Sequence, residues 1–406
     1  MPYHPASHRH STLLALATLL CSFPALAAQK DAQQEGVRLL GAIGWTHDDN
    51  LLRVADDEPP FEGRRSDTYR TLEAGVVVNE TIGRQRLAAT ARLSKVAFDH
   101  FDQLDYDGRD LQASWLWEVG SRFEGRAETL YIETLAPYTD FDSDERNLRQ
   151  QRRQVVDASW KMHPSWKLRV GAARDKYTYE LLAQRYNNRT EKAVEAELLY
   201  RPRSGSSVGL VARRIKGTYP YRRPSASGVL TDDFTQHELK ARIDWLASGT
   251  TTVQALAGYA RREQPSYGEG STSGINGRIT AIVKPAGKIS YSAALWREFA
   301  PIESPSVSYT LNKGASLQAT WLASDKIRVD ASAAYEKRDY TARTVFAGSD
   351  DLTDAIRSAS LRALWQVRSR VQVVAGYAYQ ARAGSPVLGT GKFDANMVQL
   401  SANLLF

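Results

Sequence analysis

Basic side chains recur at alternate positions along many segments of this 406-residue chain, and their spacing defines the candidate chemistry. Where Arg or Lys occupies every second residue of an extended strand, the side chains share one face. Basic groups that line a common face favour anions. The candidate contact residues are Arg86, Arg92, Arg122, Arg126, Arg149, Arg153, Lys167, Arg169, Arg213, Lys240, Arg242, Arg278, Arg328 and Arg362.

Acidic residues fall on the same faces and leave a second interpretation open. Glu195 and Glu197, for example, alternate in the segment that precedes Arg213. Opposite charges that face each other across neighbouring strands stabilise a sheet, and a charge buried without a partner is costly. The basic face is therefore either a hydrated surface that contacts anions and sugars, with Trp296 as an aromatic neighbour, or a set of ion pairs that only stabilise a wall.

Catalytic and metal-binding residues are not expected. The only cysteine, Cys21, lies in the N-terminal segment that we expect to be removed. Four histidines remain beyond that segment, without metal-ligand spacing: His47, His100, His163 and His237. His47 beside Asp48 is the best candidate for a catalytic pair, but adjacency alone supports it. We therefore predict no enzyme activity, no metal and no cofactor.

The elements that must position the charged residues are β-strands with a period of two. In residues 237–245, apolar and aromatic residues fall on the odd positions and four charged residues fall on the even ones. The same alternation recurs in residues 110–118, 327–336 and 371–379. A helix would scatter the charges around its surface, whereas a strand puts them on one side. Alternation alone does not separate a soluble sheet from a membrane barrel, because both have one apolar face.

The connections between these segments alternate between short and long. Short turns are predicted near residues 80–84, 119–121, 162–165, 201–206, 247–251, 284–287, 323–325 and 367–369. Longer polar loops are predicted near residues 48–66, 99–106, 134–146, 177–188, 216–233, 261–272, 298–307, 338–352 and 381–393. The strands between them run for about 11–14 residues, whereas soluble strands average about 5–6 and membrane strands need about 9–11. The sequence thus predicts an all-β, transmembrane, antiparallel up-and-down β-barrel of about 18 strands, or 16, with short periplasmic turns and longer extracellular loops.

Six tryptophans lie within a few residues of the predicted short turns. Tryptophan prefers the headgroup level of a bilayer, where its ring is partly wet and partly apolar. We expect an aromatic girdle at one membrane face, formed by Trp117, Trp160, Trp166, Trp245, Trp321 and Trp365. The alternative is a set of core tryptophans in a soluble β protein, but core residues need not follow one class of turn.

The N-terminal segment is typical of a secretory signal. Arg9 belongs to a basic start, residues 13–20 form a short apolar run, and Ala25 and Ala27 fit the small-residue cleavage rule. We predict a signal peptide over residues 1–27, a periplasmic segment over residues 28–36 and a barrel over residues 37–406. The net charge of +7 is too small for a nucleic-acid partner.

The last residues predict how the barrel is recognised during assembly. Val398, Leu400, Ala402, Leu404 and Phe406 alternate up to the final residue. A last strand with alternating apolar residues and a terminal aromatic is similar to the signal that the outer-membrane barrel-assembly machinery reads. We therefore expect that machinery and the lipid bilayer as partners, and the outer membrane as the location.

Two segments resemble a known family. The run from Thr46 to Arg53, Thr-His-Asp-Asp-Asn-Leu-Leu-Arg, follows the first predicted strand, and the run from Phe98 to Tyr106, Phe-Asp-His-Phe-Asp-Gln-Leu-Asp-Tyr, ends the third. Together with Arg65-Ser66-Asp67-Thr68, these resemble the β-barrel porin family found with exopolysaccharide gene clusters, the EpsL type. Leu52 stands where an aromatic residue is expected. The resemblance extends over the whole mature chain and implies a role in exopolysaccharide biosynthesis or export.

The expected function is a water-filled channel with a charged, mildly basic lumen for a polysaccharide or its fragments. Export-complex proteins are expected partners under this interpretation. One alternative is a plugged or structural barrel that scaffolds an envelope secretion complex, with loops such as residues 48–66 folded inward. A second alternative is a general diffusion porin.

Overall fold

Strands account for most of the chain. The computed structural model describes residues 35–141, 143–225, 228–264, 271–301, 307–342, 352–385 and 391–406. The predicted signal peptide lies outside the described residues. The strands are β1 (Gly36–Asp48), β2 (Asp67–Ile82), β3 (Gln85–Phe98), β4 (Tyr106–Val119), β5 (Phe123–Leu135), β6 (Leu148–His163), β7 (Trp166–Tyr179), β8 (Arg189–Tyr200), β9 (Ser207–Thr218), β10 (Arg223–Ser225), β11 (Gly228–Leu230), β12 (Phe234–Leu246), β13 (Thr251–Glu263), β14 (Ser271–Val283), β15 (Ile289–Pro301), β16 (Val307–Leu322), β17 (Ile327–Ala342), β18 (Thr353–Arg368), β19 (Val371–Arg382) and β20 (Phe393–Leu405).

Eighteen of these strands close into one antiparallel barrel, which confirms the predicted fold class. Each strand pairs with its neighbours along the chain, and β1 pairs with both β2 and β20. The remaining two strands, β10 and β11, form a small hairpin within the β9–β12 connection. Closure removes free sheet edges, whose unpaired backbone groups are costly in lipid.

The connections alternate as the sequence predicts. Eight short turns join the described strands at one end of the barrel. At the other end, which we call the long-loop end, the strands lead into nine longer connections. Gly83 and Gly120 adopt positive φ values of 63° and 61° in two of the short turns, a backbone conformation that glycine tolerates without steric cost. In the described parts of the longer connections, four short 3-10 helices occur: Phe61–Gly63, Asp102–Leu104, Tyr138–Asp140 and Leu182–Asn187.

The strands are longer than the sequence predicts. Several barrel strands, including β2, β6 and β18, have 16 residues. These three strands continue into predicted short turns, whereas β15 and β17 continue at the long-loop end into ranges that composition assigns to polar loops. Polar residues there still pair as strands, because the sheet continues beyond the apolar zone. Among the described residues, no helix is long and apolar enough to cross a bilayer.

Apolar side chains are exposed and charged side chains are buried, which is the reverse of the arrangement in a water-soluble protein. In β12, the apolar Leu239 and Trp245 are each 54% exposed, whereas the charged Lys240 and Arg242 are each 7% exposed. The apolar face of the alternating pattern therefore points outward and the charged face points inward. A soluble sheet with one covered face shows the opposite arrangement.

A small hydrophobic core lies at the long-loop end. It joins the β1–β2, β3–β4 and β5–β6 connections, and we call it the loop core: Leu51, Leu52, Val54, Val96, Phe98, Phe101, Leu104 and Tyr138. Phe101 and Leu104 are fully buried in it. The loop core holds three connections as one packed unit, as an apolar cluster excludes water from its members.

Candidate functional site

The barrel interior gathers the basic residues that alternation predicts. The odd-even phase of each strand puts thirteen of the fourteen candidates on the inward face, opposite exposed outward residues such as Leu93 and Val156. Arg122 is the exception, because it lies exposed in the β4–β5 turn and not in a strand. The predicted short turn over residues 119–121 places Arg122 in the next strand, whereas β5 begins one residue later, at Phe123.

Most of the inward basic residues are paired with acids on the same strand or on a strand one or two places away. Arg153 donates to Asp175 at 3.0 Å, and Arg278 donates to Glu298 at 2.9 Å. Further pairs join Arg92 to Asp110, Lys167 to Glu124, Arg328 to Asp330 and Arg362 to Asp330. Cross-strand pairing, one of the two interpretations that the sequence leaves open, is thus present in the structure.

A longer ion-pair network follows the wall from β5 to β12. Arg126 contacts Asp157, and Arg169 contacts Glu195 and, at 2.8 Å, Glu197. One branch continues from Glu197 to Arg242. A second branch runs from Glu195 through Arg213, at 4.0 Å, to Glu238, which Lys240 contacts at 2.9 Å. Several of these charges are more than nine-tenths buried, so each needs an opposite charge to offset lost hydration. The wall in this sector therefore presents pairs of charges and not isolated cations.

The long-loop end of the interior is narrowed on one side by the loop core. Arg53 of the β1–β2 connection contacts Asp48 at 2.9 Å and donates to the inward-facing Gln380 at 3.0 Å. Arg382, on β19, pairs with Asp354 and also donates to the backbone carbonyl of Thr139 in the β5–β6 connection. β19 and β5 lie six strands apart around the ring, so the contact to Thr139 crosses the interior.

An arginine–aromatic cluster narrows the opposite side. The Arg262 guanidinium lies 3.5 Å from the ring centroid of Phe234 and 5.1 Å from that of Tyr309. Arg189 lies 4.0 Å from the ring centroid of Tyr177. These cation–π contacts stabilise guanidiniums that have little access to water.

The pairing of β14 with β15 is incomplete next to this cluster. β14 and β15 align only Gly277–Val283 with Tyr291–Arg297, seven residues of the thirteen in each strand. Above this register, Phe299 and Tyr309 pack on the inward-facing Ala260, so β15 at Phe299 and β16 at Tyr309 bend into the interior. Arg297 spans the gap and donates to the Ile275 carbonyl.

Burial affects two tyrosines in the connections. Burial raises the pKa of Tyr138, in the β5–β6 connection, well above its ordinary value, and its hydroxyl donates to the Glu145 carbonyl at 3.0 Å. Burial also raises the pKa of Tyr219 to about 12, although the nearby Arg189 lowers it. Both phenols are therefore neutral at physiological pH.

The predicted set of inward-facing basic residues omits several arginines. They lie at strand ends that were assigned to loops or their borders: Arg189, Arg262, Arg338 and Arg382. Their signal in the sequence is the continued alternation beyond each apolar segment, which polar composition obscures. Trp296, as predicted, faces inward, where its ring nitrogen donates to Glu336 at 3.0 Å and its ring lies 4.7 Å from the Arg278 guanidinium.

The candidate catalytic pair of His47 and Asp48 does not form. The ring of the outward-facing His47 contacts the Thr68 hydroxyl at 2.9 Å, whereas the adjacent Asp48 faces inward toward Arg53. Consecutive strand residues point to opposite faces, which separates the imidazole from that carboxylate. Among the described residues, no group of three or more His, Cys, Asp or Glu side chains could hold a metal ion.

All six tryptophans of the predicted girdle lie near the short-turn end. Trp160, Trp166, Trp245, Trp321 and Trp365 are between 41% and 54% exposed on the outward face. Trp117 shares that face, where its ring covers Gly125 of the adjacent strand. The closing strand β20 directs Val398, Leu400 and Leu404 outward as well.

Comparison with solved structures finds barrels of similar extent. The outer membrane protein OpdK from Pseudomonas aeruginosa shares 12% identity, with 91% of this chain and 99% of that chain covered and a TM-score of 0.48. OccK2 (OpdF) from the same organism shares 14% identity, with 91% and 98% covered and a TM-score of 0.49. The ferric-catecholate import receptor Fiu from E. coli K12 shares 8% identity, with 92% and 82% covered and a TM-score of 0.49.

No protein-family model matches the sequence, and no curated protein matches it. The resemblance to the EpsL-type family is therefore unsupported by these comparisons and stays a prediction.

Proposed function

We propose that the protein is an outer-membrane channel. The observation that carries this proposal is the inverted barrel, in which exposed apolar residues surround a charged interior. An outward apolar band flanked by aromatic residues matches the environment of a bilayer, and the charged interior matches water. A closed barrel with short turns at one end and longer loops at the other supports the outer membrane as the location.

The channel admits hydrophilic solutes through a narrowed mouth. A barrel of eighteen strands is wide enough for an aqueous passage, but the loop core and the arginine–aromatic cluster reduce the opening at the long-loop end. This narrowing favours a selective channel over the alternative of a general diffusion porin. Ordered cation–carboxylate pairs along the wall favour substrates with polar or charged groups.

A polysaccharide, or its fragments, is the proposed substrate class. Two observations support it: the EpsL-type resemblance and the inward Trp296 beside Arg278, which together offer an apolar ring and a cation to a sugar. Export-complex proteins are the corresponding proposed partners. The proposal includes cleavage of residues 1–27 and assembly by the barrel-assembly machinery, which would read the β20 strand.

Single-channel recording in planar bilayers tests the proposal. We expect discrete conductance steps from the folded barrel and transient current block when acidic oligosaccharides are added. Neutral oligosaccharides of the same length serve as the control. A barrel that is folded by gel mobility, yet never conducts, would remove the channel proposal, whereas conductance without any block would remove only the saccharide substrate.

A second candidate is a plugged barrel with a structural role in an envelope complex. The contact of Arg382 with the Thr139 carbonyl favours it, since it ties a loop across the interior. Replacing residues 136–147 with a short Gly-Ser turn distinguishes the two functions. Appearance of conductance only in the shortened variant would support the plug, and equal conductance in both proteins would eliminate it.

A further inference from the structure

Six basic side chains form a patch on the outward face of β6, β7, β8 and β9, near the long-loop end. We call this the outer basic patch: Arg152, Arg174, Lys176, Lys192, Arg214 and Lys216. All six are exposed, and within the described part of the chain no acidic side chain pairs with any of them. The acids of the same strands, such as Asp175 and Glu195, face the interior.

Several of these cations lie directly opposite one another. Arg174 aligns with Lys192, Lys192 aligns with Lys216, and Arg152 aligns with Lys176. Like charges at directly opposite positions destabilise a sheet. Arg152 has a partial partner, because it lies 5.1 Å from the ring centroid of Tyr131, whose hydroxyl donates to the outward-facing Glu133. The other five cations have no carboxylate in ion-pair contact among the described residues, so an external anion is their remaining means of neutralisation.

The position of the patch along the membrane normal indicates the membrane layer in which that anion lies. Arg152 lies eight residues along β6 from Trp160, and Arg174 lies eight residues along β7 from Trp166. Eight strand residues span ~26 Å, or ~20 Å along the membrane normal for a strand tilted by ~40°. If the tryptophans mark one headgroup layer, the patch lies near the opposite headgroup layer, at the long-loop side.

An apolar groove on the outward surface crosses β3 to β8 and meets the patch at Arg174 and Lys192. Its volume is about 670 Å³, and small residues of β3, β4, β5 and β7 form its floor: Ala89, Ala113, Ala127 and Ala172. Trp115 and Val194 line its sides, and Arg174 and Lys192 lie at its rim. An acyl chain in the groove would thus continue into a headgroup in contact with the cations.

We propose that the groove and the outer basic patch bind one phosphorylated glycolipid of the lipid A type, with acyl chains in the groove and phosphates on the patch. The four strands of the patch extend over ~14 Å at ~4.8 Å per strand. This width suits a disaccharide headgroup that carries two phosphates better than the single phosphate of a phospholipid. The inference rests on the proposed outer-membrane location but not on channel activity.

Lipid titration followed by native mass spectrometry tests the site. The variant Arg174→Gln/Lys192→Gln/Arg214→Gln/Lys216→Gln removes four cations, and Lys95→Gln/Lys337→Gln removes two exposed outward lysines elsewhere on the barrel. The probes are bisphosphorylated lipid A, the same lipid without phosphates, and phosphatidylglycerol. We expect bisphosphorylated lipid A to bind the wild type and the control equally, and the four-site variant about tenfold more weakly or worse.

Three outcomes would overturn the proposal: equal lipid A binding by the four-site variant, equal binding of the dephosphorylated lipid, or equal binding of phosphatidylglycerol. Heat-modified gel mobility verifies that each variant is folded, and the pairs Arg174→Gln/Lys192→Gln and Arg214→Gln/Lys216→Gln replace the four-site variant if it does not fold. Conductance of the same preparations separates this proposal from the channel, since the patch faces away from the interior.

Discussion

At the scale of single residues, the face on which a charge lies decides what it does. Asp48 and His47 are adjacent in sequence, yet one is buried against Arg53 and the other is exposed toward the surroundings. The Asp48 carboxylate also accepts a hydrogen bond from the Asn50 backbone at 3.0 Å. It therefore anchors the start of the β1–β2 connection at the end of β1.

Removal of the Asp48 charge should destabilise the barrel. In Asp48→Asn, the buried Arg53 loses its carboxylate, and we expect the free energy of unfolding to fall by about 3–5 kcal/mol. The matched control is Asp99→Asn, which removes an ion pair whose two side chains are 63% and 45% exposed; its expected cost is below about 1 kcal/mol. Urea unfolding followed by tryptophan fluorescence measures both, and equal losses would contradict the anchoring role.

At the scale of elements, the β14–β15 pair is the weakest part of the wall that the structure describes. Its register stops at Gly277 and Arg297, whereas β12 and β13 align twelve residues. Backbone groups beyond the register depend on contacts such as that of Arg297 with the Ile275 carbonyl. Fewer cross-strand hydrogen bonds lower the cost of local opening.

Hydrogen–deuterium exchange should therefore detect the incomplete pairing of β14 with β15. We expect amides in residues 272–276 and 298–300 to exchange about tenfold faster than those in residues 279–283, because local opening exposes them first. The long-loop half of the β12–β13 pair, residues 235–240 with 258–263, is the internal control at a similar distance from the strand ends. Equal amide protection in residues 272–276 and 298–300 and in the control would contradict a lower local stability of the β14–β15 pair.

At the scale of the whole molecule, the interior balances its charges by distributing pairs over many strands. Glu197 illustrates this balance, because its two oxygens contact Arg169 at 2.8 Å and Arg242 at 2.5 Å. The ionic preference of the channel thus depends on the surplus that remains after pairing and not on the number of arginines alone.

Neutralisation of Glu197 should shift the channel toward anions. In Glu197→Gln, the charges of Arg169 and Arg242 lose one shared carboxylate, so the interior becomes more positive. We expect the reversal potential in a potassium chloride gradient to move toward that of chloride. Glu133→Gln is the control, since Glu133 lies on the outward face beside Arg109. A shift of equal size in both variants, or none in Glu197→Gln, would contradict an interior that sets selectivity.

The sequence by itself determined the strands, their alternating faces and the order of short and long connections. The physical reason is that a period of two fixes the face of each side chain locally, and turn composition fixes the connections. Thirteen of the candidate basic residues share the inward phase of their strands, whereas Arg122 departs from it because it lies in a turn.

Only the tertiary structure decided which charges meet and how the mouth is narrowed. The pairing of Arg169 with Glu195 depends on register between strands, and the contact of Arg382 with Thr139 joins residues 243 positions apart. Such contacts leave no local pattern, because ring closure brings distant segments together. The loop core likewise joins three connections whose apolar residues follow no period, so their burial depends on packing between loops.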